Sequence, residues 1–341
     1  MILVFIGIIL SVIFSNSIIN LYNQKTYAHP FSKNQAASFM ARIFQMQIES
    51  ELALTNLAND NVTFAQNHAN KAALLLTPSM VIEIIEGNAQ TARDLAAALN
   101  NLTMVSSSSE SQKQIVRNLV SDINVSLNEV VSSRISQALT NNPSSSLEKN
   151  TEVGGGPIGS PDQGGDHYQA DKNMSLDPLV FTELIDRVLV NYGNAYGVEF
   201  DMTNMSNMVM PVMPVSTATY VNNSSHGDMK MDSMMMSPST KTNYPNQLNR
   251  NYSLVNITDY QSAQALATKA LEIFNSKLKH IALDNNNKSN QSVFIANLEG
   301  GVSQLNNSIR NKASPLDIMM IVHTQIHPNL LEIFDLGIRK I

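Results

Sequence analysis

Thioether and imidazole groups are concentrated in one stretch of this sequence, residues 202–236, which holds ten of the 18 methionines. Thioether sulfur is a soft, neutral ligand that needs no deprotonation, so it suits Cu(I) and survives where thiolates would be oxidised. Oxygen and imidazole donors in the same stretch are harder ligands and suit Cu(II). The candidate copper ligands here are Met202, Met205, Met208, Met210, Met213, His226, Asp228, Met229, Met231, Met234, Met235 and Met236.

The run from His226 to Met236 resembles the methionine- and histidine-rich ectodomains of copper-uptake transporters and the Met motifs of periplasmic copper-resistance proteins. The resemblance is one of composition, covers the 35 residues of 202–236, and does not extend to the transmembrane helices of such transporters. It implies that the bound ion is copper. The alternative interpretation is a linker in which methionine serves as an apolar residue.

A second candidate metal site is the histidine pair His323 and His327 on the last long predicted helix. A spacing of four residues places two imidazoles on one helix face, and a metal site needs a third ligand, for which Glu332 or Asp335 lies near in sequence. Pro328 disfavours a helical conformation at the residue before it and therefore argues against this geometry. The alternative is that the two histidines cap and pack the end of the helix.

His68 lies among alanines on a predicted helix, and Glu49, Glu51, Glu83 and Glu86 lie on neighbouring helices. A histidine and several carboxylates inside a four-helix bundle could form a di-metal site, but such sites use a Glu-x-x-His spacing that is absent here. We therefore expect these side chains to form a solvated polar face.

Several classes of function are disfavoured by the composition. The chain has no cysteine, which excludes thiolate metal sites and Cys nucleophiles, and no nucleophile elbow, phosphate loop or zinc-protease motif is present. We expect a protein that is not an enzyme. The formal net charge is −6 and no basic cluster exceeds two residues, which argues against nucleic acid as a partner.

The N-terminus predicts export from the cytoplasm. Residues 1–14 are almost uninterrupted apolar side chains, which matches the core of a signal peptide, and Thr26-Tyr27-Ala28 offers a cleavage site. Residues 1–28 are thus a signal peptide or, if they are retained, a membrane anchor through residues 2–21. The cysteine-free, asparagine-rich composition and the His29-Pro30-Phe31 start look like exported proteins of ammonia-oxidising archaea, whose surface chemistry depends on copper.

Apolar residues recur at spacings of three and four along most of the chain, which predicts an all-α fold of antiparallel helical bundles. Thr77-Pro78 and Ser314-Pro315 are strong helix-start signals, and Thr258 is a third expected cap. The predicted helices cover about 34–59, 62–76, 78–99, 111–139, 178–193, 258–284, 293–309 and 315–326.

The predicted domain organisation follows from where this periodicity stops. A first helical bundle at 34–140 is followed by a disordered linker at 141–175, which is rich in Gly, Ser and Pro. A second helical bundle covers 176–341, and the Met-rich loop is an insertion within it at 198–257 that lies apart from the histidines of the bundle.

The sequence supports three hypotheses about function. The leading one is an extracytoplasmic helical protein that binds or buffers copper through the Met-rich loop. The competing one is a non-catalytic scaffold or interaction protein at the cell surface that docks onto a membrane-protein partner. The third is a ligand-binding domain between the two bundles, which a deep apolar pocket would favour.

Overall fold

The computed structural model describes residues 31–105, 107–135, 168–169, 175–204, 252–284 and 291–338, and the predicted all-α fold is confirmed there. The helices before the linker are α1 (Lys33–Ala58), α2 (Val62–Leu75), α3 (Pro78–Gly87), α4 (Ala89–Thr103) and α5 (Glu110–Val130). Those after it are α6 (Asp177–Ala195), α7 (Ile257–Ile273), α8 (Lys279–Asp284), α9 (Gln291–Arg310), α10 (Pro315–Ile321) and α11 (His327–Phe334).

Three π-helical turns continue these helices, at Val131–Ile135 after α5, at Phe274–Leu278 between α7 and α8, and at Val322–Ile326 between α10 and α11. Two short strands, β1 (Tyr168–Gln169) and β2 (Gly337–Ile338), pair in antiparallel register, with Tyr168 opposite Ile338. The fold is therefore helical apart from this two-residue pairing in the part of the chain that the structure describes.

Two of the predicted helix starts are confirmed. The hydroxyl of Thr77 accepts a hydrogen bond from the Met80 amide at the start of α3, and the hydroxyl of Ser314 accepts one from the Asp317 amide at the start of α10. The predicted Thr258 cap is wrong, because Asn256 is the N-cap of α7 and its side chain accepts from the Asp259 amide.

The single helix predicted over 78–99 is also wrong, because Asn88 divides it into α3 and α4. Asn88 adopts an extended conformation, and its side-chain oxygen accepts hydrogen bonds from the amides of Gln90 and Thr91. One asparagine thus ends one helix and caps the next, which hydrophobic spacing alone does not indicate.

The two groups of helices pack against each other through α1, which contacts both α6 and α7. Their buried apolar side chains form one continuous cluster that includes Ile43 and Leu57 of α1, Phe181 of α6 and Phe274. The rings of Phe181 and Phe274 lie 6.5 Å apart at the centre of the second group. In the described ranges, the predicted bundles therefore share a core, and α1 forms most of the contact between them.

No helix within the described ranges combines the length and the apolar character that crossing a bilayer requires. The predicted signal peptide or anchor at 1–28 lies outside those ranges. Most of the predicted linker at 141–175 and all of residues 205–251 within the Met-rich insertion also lie outside them.

Candidate functional site

The histidine pair lies where α10 continues into α11 through the π-helical turn at Val322–Ile326. The expectation that Pro328 spoils a helical His327 is wrong, since His327 has φ −58° and ψ −48° and begins α11. A proline clashes with the carbonyl four residues before it in a regular helix, and the wider π-helical turn changes the spacing at that point. The Asn329 side chain donates a hydrogen bond of 2.5 Å to the Gln325 carbonyl within this turn.

The two imidazole rings are in edge-to-face contact, with their centroids 5.1 Å apart. His323 Nε2 donates a hydrogen bond to the backbone carbonyl of Met202 at 2.9 Å. A carbonyl oxygen only accepts, so Nε2 carries the hydrogen and the neutral His323 ring has its lone pair on Nδ1. That nitrogen is the one through which a neutral His323 could bind a metal.

His327 is buried, and its Nε2 lies 3.5 Å from Asp186 Oδ1 on α6. Burial, with a smaller contribution from the neighbouring His323, lowers the pKa of His327 to about 3. The Asp186 carboxylate is one-third exposed, and at this distance it does not offset the desolvation of the ring. His327 is therefore neutral at physiological pH, which is the state of a metal-ligating histidine and also of a packed core histidine.

Met202 is buried, and its sulfur lies 3.0 Å from the position that a Cβ on Gly193 would take. Its thioether thus packs on the bare backbone of α6 while its carbonyl binds His323. Met202 lies within a tight turn, in which the Asp201 carboxylate accepts hydrogen bonds from the amide and the hydroxyl of Thr203. The prediction that the Met-rich loop lies apart from the bundle histidines is therefore wrong at its first methionine.

The other predicted ligands of the Met-rich loop lie outside the described residues; they are Met205, Met208, Met210, Met213, His226, Asp228, Met229, Met231, Met234, Met235 and Met236. Within the described ranges, no group of three or more His, Asp or Glu side chains is placed to hold a metal ion. Neither Glu332 nor Asp335 thus completes a three-ligand site with the histidine pair there.

The prediction of a solvated polar face around His68 is wrong. His68 and Glu49 are both completely buried, and His68 Nδ1 lies 2.7 Å from Glu49 Oε2. On the other side of the ring, Nε2 lies 2.8 Å from the side-chain oxygen of Gln261 on α7. Glu51 does lie on the exposed surface of α1, as expected.

The hydrogen-bond pattern fixes the orientation of Gln261 beside this pair. The Asn56 amide nitrogen donates to the Leu52 carbonyl at 2.9 Å, which orients the Asn56 side chain, and the two amides of Asn56 and Gln261 then bond reciprocally. Gln261 therefore presents its oxygen to His68, and His68 Nε2 carries the hydrogen of that bond. On the other side of the ring, one hydrogen lies between Nδ1 and the Glu49 carboxyl group.

Lys71 extends the pair into a network of four ionisable side chains. Its ammonium lies 3.2 Å from Glu49 Oε1 and 2.6 Å from Asp259 Oδ1, and it donates to Asn191 Oδ1 at 2.9 Å and to Ser262 Oγ at 2.7 Å. Two basic and two acidic side chains thus meet in a cluster that joins α1, α2, α6 and α7. Buried alanines at 65, 69 and 72 lie near His68 along α2, a composition that is visible in the sequence and is compatible with a buried histidine.

Glu83 and Glu86, the remaining members of the predicted solvated face, bind a buried arginine instead. Arg134 on the π-helical turn after α5 contacts the carboxylates of both residues and is only 2% exposed. Its guanidinium also lies over the Phe31 ring, 4.6 Å from the ring centre. A Cβ on Gly87 would lie 2.8 Å from the Arg134 side chain, so this glycine gives the arginine its space.

An open groove of about 850 Å³ lies between α1 and α7, the helices that join the two halves. Its walls combine amides, charges and apolar side chains. The lining residues are Phe44, Gln47, Ile48, Glu51, Leu52, Thr55, Gln261, Gln264, Ala265, Thr268, Lys269, Glu272 and Arg310. Gln261 belongs both to the groove and to the buried His68 network, so the two features meet at this residue.

Comparison of this chain with protein-family models, with curated proteins and with solved structures finds no match.

Proposed function

We propose that this protein is a non-catalytic copper-binding protein that acts outside the cytoplasm and collects copper through residues 202–236. The observation that supports this function best is the hydrogen bond from His323 Nε2 to the Met202 carbonyl. It attaches the backbone at the start of the methionine-rich stretch to the histidine pair.

The thioether and imidazole donors have different roles in this proposal, which follow from their chemistry. Thioethers bind Cu(I) without losing a proton, and several methionines at short spacing supply neutral sulfur in an oxidising compartment where a cysteine would form disulfides. His323 Nδ1 adds a lone pair at the point where the stretch leaves the helices. His327, which is neutral and buried, holds its neighbour in place through the edge-to-face contact.

The proposal is tested by competition titration of Cu(I), under a reducing atmosphere, with a coloured Cu(I) chelator. We expect the full chain to withdraw copper from the chelator and a chain lacking residues 205–236 to lose that capacity. A chain lacking residues 141–167, a deletion of comparable size in the predicted linker, should bind as the full chain does. Equal copper uptake by the 205–236 deletion and the full chain would refute the proposal.

A His323→Ala variant separates the loop from its attachment. Without the imidazole, we expect the copper affinity of the full chain to fall while the number of ions bound per chain stays the same, because most donors lie within 205–236. A His280→Ala variant is the matched control, since that histidine lies at the start of α8, away from the Met202 contact.

A second candidate function, a scaffold that docks onto a membrane-protein partner, is favoured by a different observation. Four large aliphatic side chains, Leu74, Val190, Val255 and Ile257, are 44 to 77% exposed on the segments that meet at the Lys71 network. Under this function, a Leu74→Glu and Val255→Glu double variant would lose a membrane partner that the 205–236 deletion retains. The opposite pattern would favour copper collection alone.

A further inference from the structure

The helices α1 and α7 run antiparallel along the groove, and the two ends of the groove differ chemically. At one end Asn56 of α1 bonds to Gln261 of α7, and at the other the Lys269 ammonium lies 5.2 Å above the Phe44 ring. The lining residues on each helix are spaced by three and four, so each helix contributes one stripe of about three turns. At 1.5 Å per residue, each stripe is about 16 Å long.

The end near Gln261 presents hydrogen-bond donors. The Gln261 side-chain oxygen accepts hydrogen bonds from His68 and Asn56. The Gln261 amide nitrogen donates one of its two hydrogens to Asn56 and has a second hydrogen to donate. Gln264 uses one amide hydrogen to bind the Tyr260 hydroxyl and has a second. Arg310 also lines the groove, and its backbone carbonyl accepts from the hydroxyl of Tyr260, the residue before Gln261.

The charge in the groove is uneven. At the Phe44 end, Lys269 is neutralised by both carboxylate oxygens of Glu272 at 3.1 Å, and Glu51 is turned toward Asn124 of α5. At the other end, the exposed Arg310 guanidinium makes no ion pair with a residue in the described ranges. The unbalanced positive charge therefore lies beside the Gln261 and Gln264 amides.

We propose that this end of the groove binds the carboxylate of a small organic acid, whose apolar body lies along Leu52, Ile48 and Phe44. Three donor side chains line this end of the groove, and one of them is a guanidinium that can bind a carboxylate through two hydrogen bonds, so together they match an anionic headgroup. Stripes that mix polar and apolar side chains match an amphipathic ligand, and a volume of about 850 Å³ is sufficient for one.

The buried network gives Gln261 a fixed orientation. His68 and Asn56 both bind the Gln261 oxygen, which fixes the orientation of the amide and lowers the ordering cost that a free glutamine would have on binding. A bound carboxylate would also be connected, through Gln261 and His68, to the four ionisable side chains that join the two halves of the molecule. This inference is independent of the copper proposal, since none of its residues lies in 202–236.

The test is calorimetric titration of the full chain with octanoate, and with octylamine as the probe of opposite charge. We expect saturable binding of one octanoate per chain and no saturable binding of octylamine. Arg310→Gln, an exposed substitution, should weaken octanoate binding by about tenfold or more. Arg117→Gln is the matched control, because Arg117 is an exposed arginine on α5 paired with Glu110 and should leave binding unchanged.

A second variant tests the amide. Gln261→Glu keeps the size of the side chain but replaces the donor NH₂ group with a carboxylate oxygen, so octanoate binding should be abolished. Octanoate that fails to bind saturably, octylamine that binds as tightly as octanoate, or octanoate affinity that Arg310→Gln leaves unchanged would each overturn the proposal. Thermal unfolding of Arg310→Gln at the wild-type temperature would show that its loss of binding is local.

Discussion

The buried Glu49 carboxylate should be one of the most costly charges to remove from this protein. Glu49→Gln conserves the size of the side chain but removes the carboxylate that contacts both His68 and Lys71, while Lys71 keeps Asp259 as a partner. Removing one partner of a buried ion pair typically costs about 3–5 kcal/mol. Because Lys71 is partly exposed and keeps Asp259, we expect the lower end of that range, about 3 kcal/mol.

The assay is urea unfolding followed by the helical signal in circular dichroism. Glu51→Gln is the control, since Glu51 lies two residues away on the exposed surface of α1, and it should change the free energy of unfolding by less than about 0.5 kcal/mol. The double variant Glu49→Gln, His68→Gln should lose less than the sum of the single losses, because each substitution removes the same pair. A cost for Glu49→Gln as small as that of Glu51→Gln would refute the assignment of a charged buried network.

Other predictions follow from His327, Gly87 and Gly300. The pKa of His327 is lowered to about 3 in the folded chain against about 6.5 when unfolded, so below pH 6.5 the unfolded state binds more protons and stability falls as the pH falls. Between pH 8 and pH 5 the free energy of unfolding should fall by about 2 kcal/mol because of His327. In His327→Leu this contribution should be absent, so its urea midpoint should fall less between the two pH values than that of the wild-type chain. Parallel pH profiles for the wild-type chain and the variant would contradict the prediction. Gly87→Ala should lower the unfolding free energy by about 1–3 kcal/mol, because its Cβ would meet Arg134 at 2.8 Å. Gly300→Ala should raise the unfolding free energy by about 0.5–1 kcal/mol, because Gly300 lies on the exposed side of α9 with nothing within 4 Å of an added Cβ. Melting temperatures that change in the same direction for Gly87→Ala and Gly300→Ala would contradict this packing.

Local sequence signals predicted the helices well because their information lies within a few residues. The three- and four-residue periodicity located most of the helical stretches, and Thr77-Pro78 and Ser314-Pro315 placed two starts correctly, although α11 lies beyond the predicted ranges. The break at Asn88 was missed because a single capping side chain outweighs a hydrophobic stripe that continues across it. Pro328 was misjudged because a π-helical turn, which has no simple sequence signature, lets the helix continue.

The candidate site depended on contacts that sequence spacing does not reveal. His68 and Gln261 are 193 residues apart, and His323 and Met202 are 121 apart, so neither pair could be found without the fold. The position of His68 among alanines was visible, but its partners lie on helices that only tertiary packing brings together. The assignment of copper, by contrast, still depends on the residue types of 202–236, as it did from the sequence.

The most direct test of the copper proposal is X-ray absorption at the copper edge of the Cu(I)-loaded full chain. Because the sequence has no cysteine, every sulfur atom found next to copper must belong to a methionine. The proposal predicts a shell of sulfur ligands around copper that disappears when residues 205–236 are deleted. A shell made only of nitrogen and oxygen, or a sulfur shell that the deletion leaves intact, would contradict it.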